Sequence, residues 1–144
     1  MNSDYNIAVH ALVYLSHKGE VLPSEALAEN ICTNPARVRK VMAKLAHAGI
    51  IITREGRPHG GYALGRQASE INLQQVAAAL GGSFIDIPWK SGDRDMACMV
   101  ASGMADVMDG IYAQMNQCCG AYLAGITIHD IEDKIFHTNA EGTP

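Results

Sequence analysis

No C-x-x-C pair occurs in this chain despite its four cysteines, and none of its six histidines has another histidine four residues away. Those absences argue against a zinc site and against a thiol oxidoreductase. Neither a G-x-S-x-G elbow, a phosphate loop nor a dinucleotide fingerprint is present, so no enzyme, metal or cofactor is expected. No apolar run approaches membrane-spanning length, and no basic-then-apolar segment opens the chain. The expectation is a cytoplasmic protein without a membrane partner, its cysteines reduced rather than paired in a disulfide framework.

One further absence is local. Between Pro35 and Ile52 there is no Asp or Glu, while Arg37, Arg39, Lys40 and Lys44 crowd the same stretch. Solvated helix faces usually mix signs, so a single-sign face points to an anionic partner. The net charge of −4 hides this, because charge is segregated along the chain. Residues 1–67 hold eight Lys/Arg against five acids, a net +3; residues 68–144 hold three against ten, a net −7. Local field governs docking, so the acidic half is expected to face away from a nucleic acid.

Around those cations the pattern is helix, turn, helix, hairpin. Pro23 presets a first helical turn, Ser24-Glu25 add cap and dipole chemistry, and Ala26, Leu27 and Ile31 form a small apolar stripe. Thr33-Asn34 is turn and N-cap chemistry, with Pro35 in the first helical position. Val38, Val41, Met42 and Leu45 follow i, i+3, i+4, i+7 and face a core; Ala36, Arg37, Lys40, Ala43, Lys44 and His47 fall on the other side. Gly49 ends this helix. Ile50–Arg54 is β-branched and strand-like, Gly61–Leu64 can return beside it, and Arg54, Arg57 and His59 are polar groups at the turn between them. A helix–turn–helix followed by such a hairpin is a winged helix, whose tip can place an Arg in a minor groove. The expected DNA contacts are Ser24, Thr33, Asn34, Ala36, Arg37, Arg39, Lys40, Lys44, Arg54, Arg57, His59, Gly60, Gly61 and Tyr62. Arg37, Lys40 and Lys44 would anchor phosphates, with Asn34, Ala36 and Arg37 nearest the base edges.

These residues resemble a family. Met1–Tyr5 with Ala11–Leu15, the segment from Leu27 through Leu45, Gly60-Gly61-Tyr62 and Leu73–Val76 are similar to the first helix, helix–turn–helix, wing and following helix of the Rrf-two bacterial transcription regulators. The resemblance implies a dimeric repressor or activator, repression being the commoner role, whose long C-terminal helix pairs two subunits. It also implies, in some members, cysteines that sense the chemistry of the cell. The iron–sulfur members carry three closely spaced cysteines near the start of the long helix. Here only Cys98 lies there, so no cluster is expected.

The second half reads as the pairing device. Ser91-Gly92-Asp93 is a helix start with Asp93 as cap, and the helix is expected to run to about Cys119. Met96, Val100, Gly103, Met104, Val107, Gly110, Ile111 and Met115 form the expected homodimer interface, its glycines allowing close approach and its methionines adapting. Thr127 with Asp130 caps a last short helix, Ile128–His137, which could return onto the partner. Cys98, Cys118 and Cys119 are the candidate sensor thiols, Cys98 foremost because a helix start lowers a thiol's pKa; a buried apolar role is the alternative. Cys32 is expected to pack in the turn before the cationic helix.

The expected fold is thus mainly α with a small β-hairpin. A winged helix–turn–helix occupies residues 1–67, a linking helix, long dimerisation helix and short terminal helix occupy 68–137, and 138–144 form a flexible tail. The expected partners are double-stranded DNA and a second copy. The competing reading is a winged helix used for protein or small-ligand contact without specific DNA binding.

Overall fold

Helix α1 (Asp4–Lys18) places Ile7, Ala8, Ala11, Leu12 and Leu15 on one buried side, and Gly19, at φ +64°, ends it by donating to the Leu15 carbonyl. In the computed structural model, which describes residues 3–56 and 58–141, this helix is the hub of the fold. It packs against α2 (Ser24–Ile31), α3 (Pro35–His47), α4 (Leu73–Ala79) and α6 (Ile128–Glu141). The core it anchors includes Leu27, Val38, Val41, Met42, Leu45, Ile50, Ile71, Val76 and Ile128. Each fully buried aliphatic side chain there contributes roughly 1.5–3 kcal/mol relative to exposure.

The second helix starts one step differently from expectation. Pro23 itself is the N-cap, in extended conformation, and Ser24 is the first helical residue with no side-chain capping bond. Asn34 caps α3 as expected, its side chain accepting from the Arg37 amide at 2.8 Å, with Pro35 following. At the far end the Ile50 amide donates to Leu45 and the Gly49 amide to Ala46, with Gly49 at φ +75°. This left-handed exit turns the chain into the wing.

The wing is an antiparallel pair, β1 (Ile51–Arg54) with β2 (Gly61–Leu64), in the register Ile51 opposite Leu64 and Arg54 opposite Gly61. A third segment joins it. The Leu22 and Tyr62 amides each donate to the other's carbonyl, at 3.0 and 2.8 Å, so the α1–α2 connection is stitched to β2. Gly61 is needed at that seam: its φ is +149°, and a Cβ there would lie 2.3 Å from the Leu22 carbonyl oxygen.

After the wing, Asn72 and Gln75 form a reciprocal capping box on α4. The chain then crosses to α5 (Met99–Ala124), which begins later and ends later than the sequence pattern suggests. Cys98 is its N-cap. Asp93 is not; its carboxylate accepts from the Asp95 amide at 2.9 Å and its own amide donates to the Ala101 carbonyl at 3.0 Å. Residues 93–96 therefore fold as a turn beside the first turn of α5, and Met96 lies in that turn rather than on the helix. Asn116 of α5 holds the preceding segment: its Oδ1 accepts from the Phe84 and Ile85 amides and its Nδ2 donates to the Ile85 carbonyl.

The terminal helix returns onto α1 of its own chain. Ser16 and His17 of α1 meet Glu132 of α6, His17 stacks on Phe136 at 4.5 Å, and Ile128 is fully buried. Thr127 and Asp130 make the expected reciprocal cap, and these bonds hold the Asp130 carboxyl below its ordinary range. The segment expected as a tail from residue 138 is helical to Glu141, and residues 142–144 lie outside the described residues. A bridge between Asn72 and Thr127 ties this end of the chain back to the start of α4.

Candidate nucleic-acid interface

Helix α3 divides into two unlike sides. Val38, Val41, Met42 and Leu45 are at most 1% exposed, whereas Ala36, Lys40, Ala43, Lys44 and His47 face solvent. That division follows from the 3.6-residue period alone, since the burial of four apolar side chains fixes the rotation of the helix. The exposed Ala36 and Ala43 beside the lysines leave room for a phosphate ribbon to approach the backbone.

The cations on this surface are not equivalent. Lys40 and Lys44 make no ion pair or hydrogen bond among the described residues. Arg37, by contrast, turns onto α1, its Nε donating to Asp4 Oδ1 at 3.1 Å and its Nη2 to the Ser3 hydroxyl. Arg39 crosses to α2, donating from Nη1 to Ser24 Oγ at 3.1 Å and lying 3.8 Å from Glu25 Oε1. Ser24 is buried, so its hydroxyl serves that internal bridge rather than the open face. Both arginines thus brace α3 against its neighbours while staying partly exposed, and the two lysines are left without a partner among the described residues.

The wing adds Arg54 and His59, both exposed, and the backbone around Gly60 and Gly61. Arg54, Gly60 and Gly61, with Pro23, Ser24, Glu25 and Tyr62, line a groove between the start of α2 and the wing, and His59 lies outside its lining. Burial raises the Tyr62 phenol above its ordinary pKa, an effect opposed by the nearby Arg39 charge. Arg57 lies outside the described residues. Thr33 is half-buried beside the Asn34 cap. Periodicity and spacing do not reveal the partners Asp4 and Leu22. Asp4 had a signal, an acid in a helix's first turn, but nothing in sequence marks a pairing across 33 positions.

The candidate pairing surface lies elsewhere. No residue of α5 is buried in the single chain, and Val100, Met104, Val107, Ile111 and Met115 are all exposed, Val100 at 69%. Gly103 and Gly110 have nothing within 4 Å of where a Cβ would sit. Cys98 is exposed at the N-cap, where the amides of Ala101 and Val100 lower its thiol pKa. Cys118 is exposed, Cys119 half-buried, and Cys32 is exposed instead of packed.

Residues 1–134 match the family described as Rrf2, Iron-dependent Transcriptional regulator. YwnA of Bacillus subtilis (strain 168), provisionally named an HTH-type transcriptional regulator, is 25% identical over 136 residues, which span 94% of this chain and 99% of YwnA. The solved structure of a provisionally named transcriptional regulator from Lactobacillus plantarum aligns with a TM-score of 0.81 at 22% identity, covering 95% of this chain and 92% of that one. IscR of T. potens aligns with a TM-score of 0.68 at 17% identity, covering 94% and 87% of the two chains.

The family description raises iron, and the thiols of a single chain do not fit it. Cys98 and Cys118 stand twenty residues apart, about 30 Å along a helix axis. Among the described residues no group of three or more His, Cys, Asp or Glu could hold a metal ion. None of the described helices is long and apolar enough to cross a membrane. With its winged-helix fold and a match over residues 1–134, this chain belongs to the Rrf2 family of transcriptional regulators.

Proposed function

We propose that the protein is a homodimeric repressor that binds a pseudo-palindromic operator, residues 1–67 reading DNA and residues 68–137 joining the subunits. The observation that carries this reading is the pair Lys40 and Lys44, exposed and unpaired among the described residues, on a helix whose other side is wholly buried. In this reading α3 enters the major groove with Asn34 and Ala36 nearest the base edges. Lys40 and Lys44 then meet phosphates, and Arg54, Arg57, His59 and the Gly60-Gly61-Tyr62 backbone meet the adjoining backbone and minor groove. Arg37 and Arg39 hold α3 at the angle this requires, as does Thr33 at its entry.

Pairing rests on the row Val100, Gly103, Met104, Val107, Gly110, Ile111 and Met115 of α5, all exposed but the half-buried Gly103, extended by Met96. An apolar row this long has no cover in one chain, and a twofold pair supplies two recognition helices one DNA turn apart. Cys98 is the thiol best placed for redox sensing, being exposed with a lowered pKa, and Cys118 is next by exposure. A hydroxyl-radical footprint on selected operator DNA tests the whole reading: two protected patches about one helical turn apart are expected. A single patch, or none, would favour a winged helix used for contact with protein.

A further inference from the structure

We propose that the groove between α1 and α6 is a binding site for a small, uncharged aromatic molecule, a function that goes beyond the DNA-binding reading and does not depend on it. The groove holds a cavity of about 530 Å³, within the size range of small-molecule sites. Val9 and Val13 of α1 face Ile131 and Ile135 of α6 across it, with Tyr14 and Phe136 adding ring surfaces.

The lining decides the ligand's chemistry. It contains no Lys, Arg, Asp or Glu, so a charged molecule would lose its hydration there without gaining an opposite charge. Ring edges and faces reward an aromatic guest beyond the area it buries. One end is polar: His10 Nε2 lies 2.7 Å from Asn30 Oδ1, which leaves the Asn30 amide nitrogen and the other imidazole nitrogen available to a hydrogen-bonding head group.

Two features argue against a packing gap that would close. Helix α6 is pinned at its start by Ile128, fully buried, and by the Thr127–Asp130 cap. One turn further, Glu132 bridges to Ser16 and His17, a polar strut that fixes the spacing of the two helices beside the cavity. The groove also touches the DNA-facing half, because Tyr5 lines it and the adjacent Asp4 holds Arg37 on α3. A guest that shifts α1 therefore acts on the helix that braces the recognition surface.

The test uses the full chain and the uncharged fluorescent probe N-phenyl-1-naphthylamine. Saturable binding at one site per chain is expected, with backbone amide signals of Val9, Val13 and Ile135 among those that shift. Ile135→Trp and Val13→Trp, which fill the cavity, should weaken binding at least about tenfold while Lys134→Ala leaves it unchanged. Absence of saturable binding, or shifts confined to other residues, would overturn the proposal. So would binding seen only when dilution separates the subunits, because a second copy would then be the occupant. The amide shifts decide the matter in the parent protein even if a tryptophan variant fails to fold.

Discussion

Arg37, in the first turn of α3, reaches back to Asp4 in the first turn of α1, its Nε donating to the carboxylate at 3.1 Å. The pair joins the starts of two helices, so a side chain that periodicity places on the outward face is spent on orienting α3. With side chains 41% and 25% exposed, the bond contributes less than about 1 kcal/mol to stability. Asp4→Ala is therefore expected to lower the melting temperature only slightly. It should also release a cation to the DNA-facing side, steepening the salt dependence of DNA binding by up to about one unit in log K against log[salt]. Anisotropy titrations across a salt series check this, and an unchanged slope would show that Arg37 stays engaged elsewhere.

Gly61 sits where β2 meets the Leu22 backbone, and an added Cβ would lie 2.3 Å from a carbonyl oxygen. Gly61→Ala must push the two segments apart, breaking the paired Leu22–Tyr62 hydrogen bonds. A loss of about 1–3 kcal/mol is expected in denaturant unfolding, the range for forced overpacking. Hydrogen exchange at the Leu22 and Tyr62 amides should accelerate before that of the α3 core.

Cys32 is the one non-glycine residue with positive φ among the described residues, at +65°, and it closes α2 in the turn before α3. The left-handed conformation costs an L-residue roughly 1–2 kcal/mol, partly offset by glycine's larger unfolded-state entropy. Cys32→Gly is expected to stabilise the protein by about 0.5–1 kcal/mol, raising the thermal midpoint without changing DNA affinity. A lower midpoint would mean that the exposed thiol makes a contact worth more than the strain.

Val107 lies in the middle of the exposed α5 row. Val107→Asp should leave the single-chain fold intact, since that position is mostly exposed in one chain. Across a twofold interface it would bury two like charges, so the dimer dissociation constant should rise at least about a hundredfold, roughly 2.7 kcal/mol. Sedimentation at graded concentrations reads this directly. A variant that sediments like its parent would move the pairing surface off α5.

How much of this was legible beforehand differs by the range of the forces involved. The two sides of α3 follow from local periodicity with Pro35 and Gly49 as punctuation, and the structure has both. The wing strands were legible for the same reason, in a β-branched run answered across a glycine-rich turn. The start of α5 was not. Asp93 can cap a helix or close a tight turn with the same carboxylate, and the choice depends on the Ala101 carbonyl, which periodicity does not report. The return of α6 to α1 rests on Ser16 and Glu132, 116 positions apart, so no local pattern announces it. The arginine braces were hidden likewise: spacing tells which way a side chain leaves its helix, not which distant acid it will meet.

The central claim is that Lys40 and Lys44 present the protein's charge to a DNA duplex, and the salt dependence of operator binding by Lys40→Ala/Lys44→Ala tests it most directly. Each phosphate contact contributes about 0.9 to the slope of log K against log[salt], so the double variant should bind every sequence more weakly with a slope shallower by nearly two. An unchanged slope, or a loss confined to the specific operator, would contradict the account.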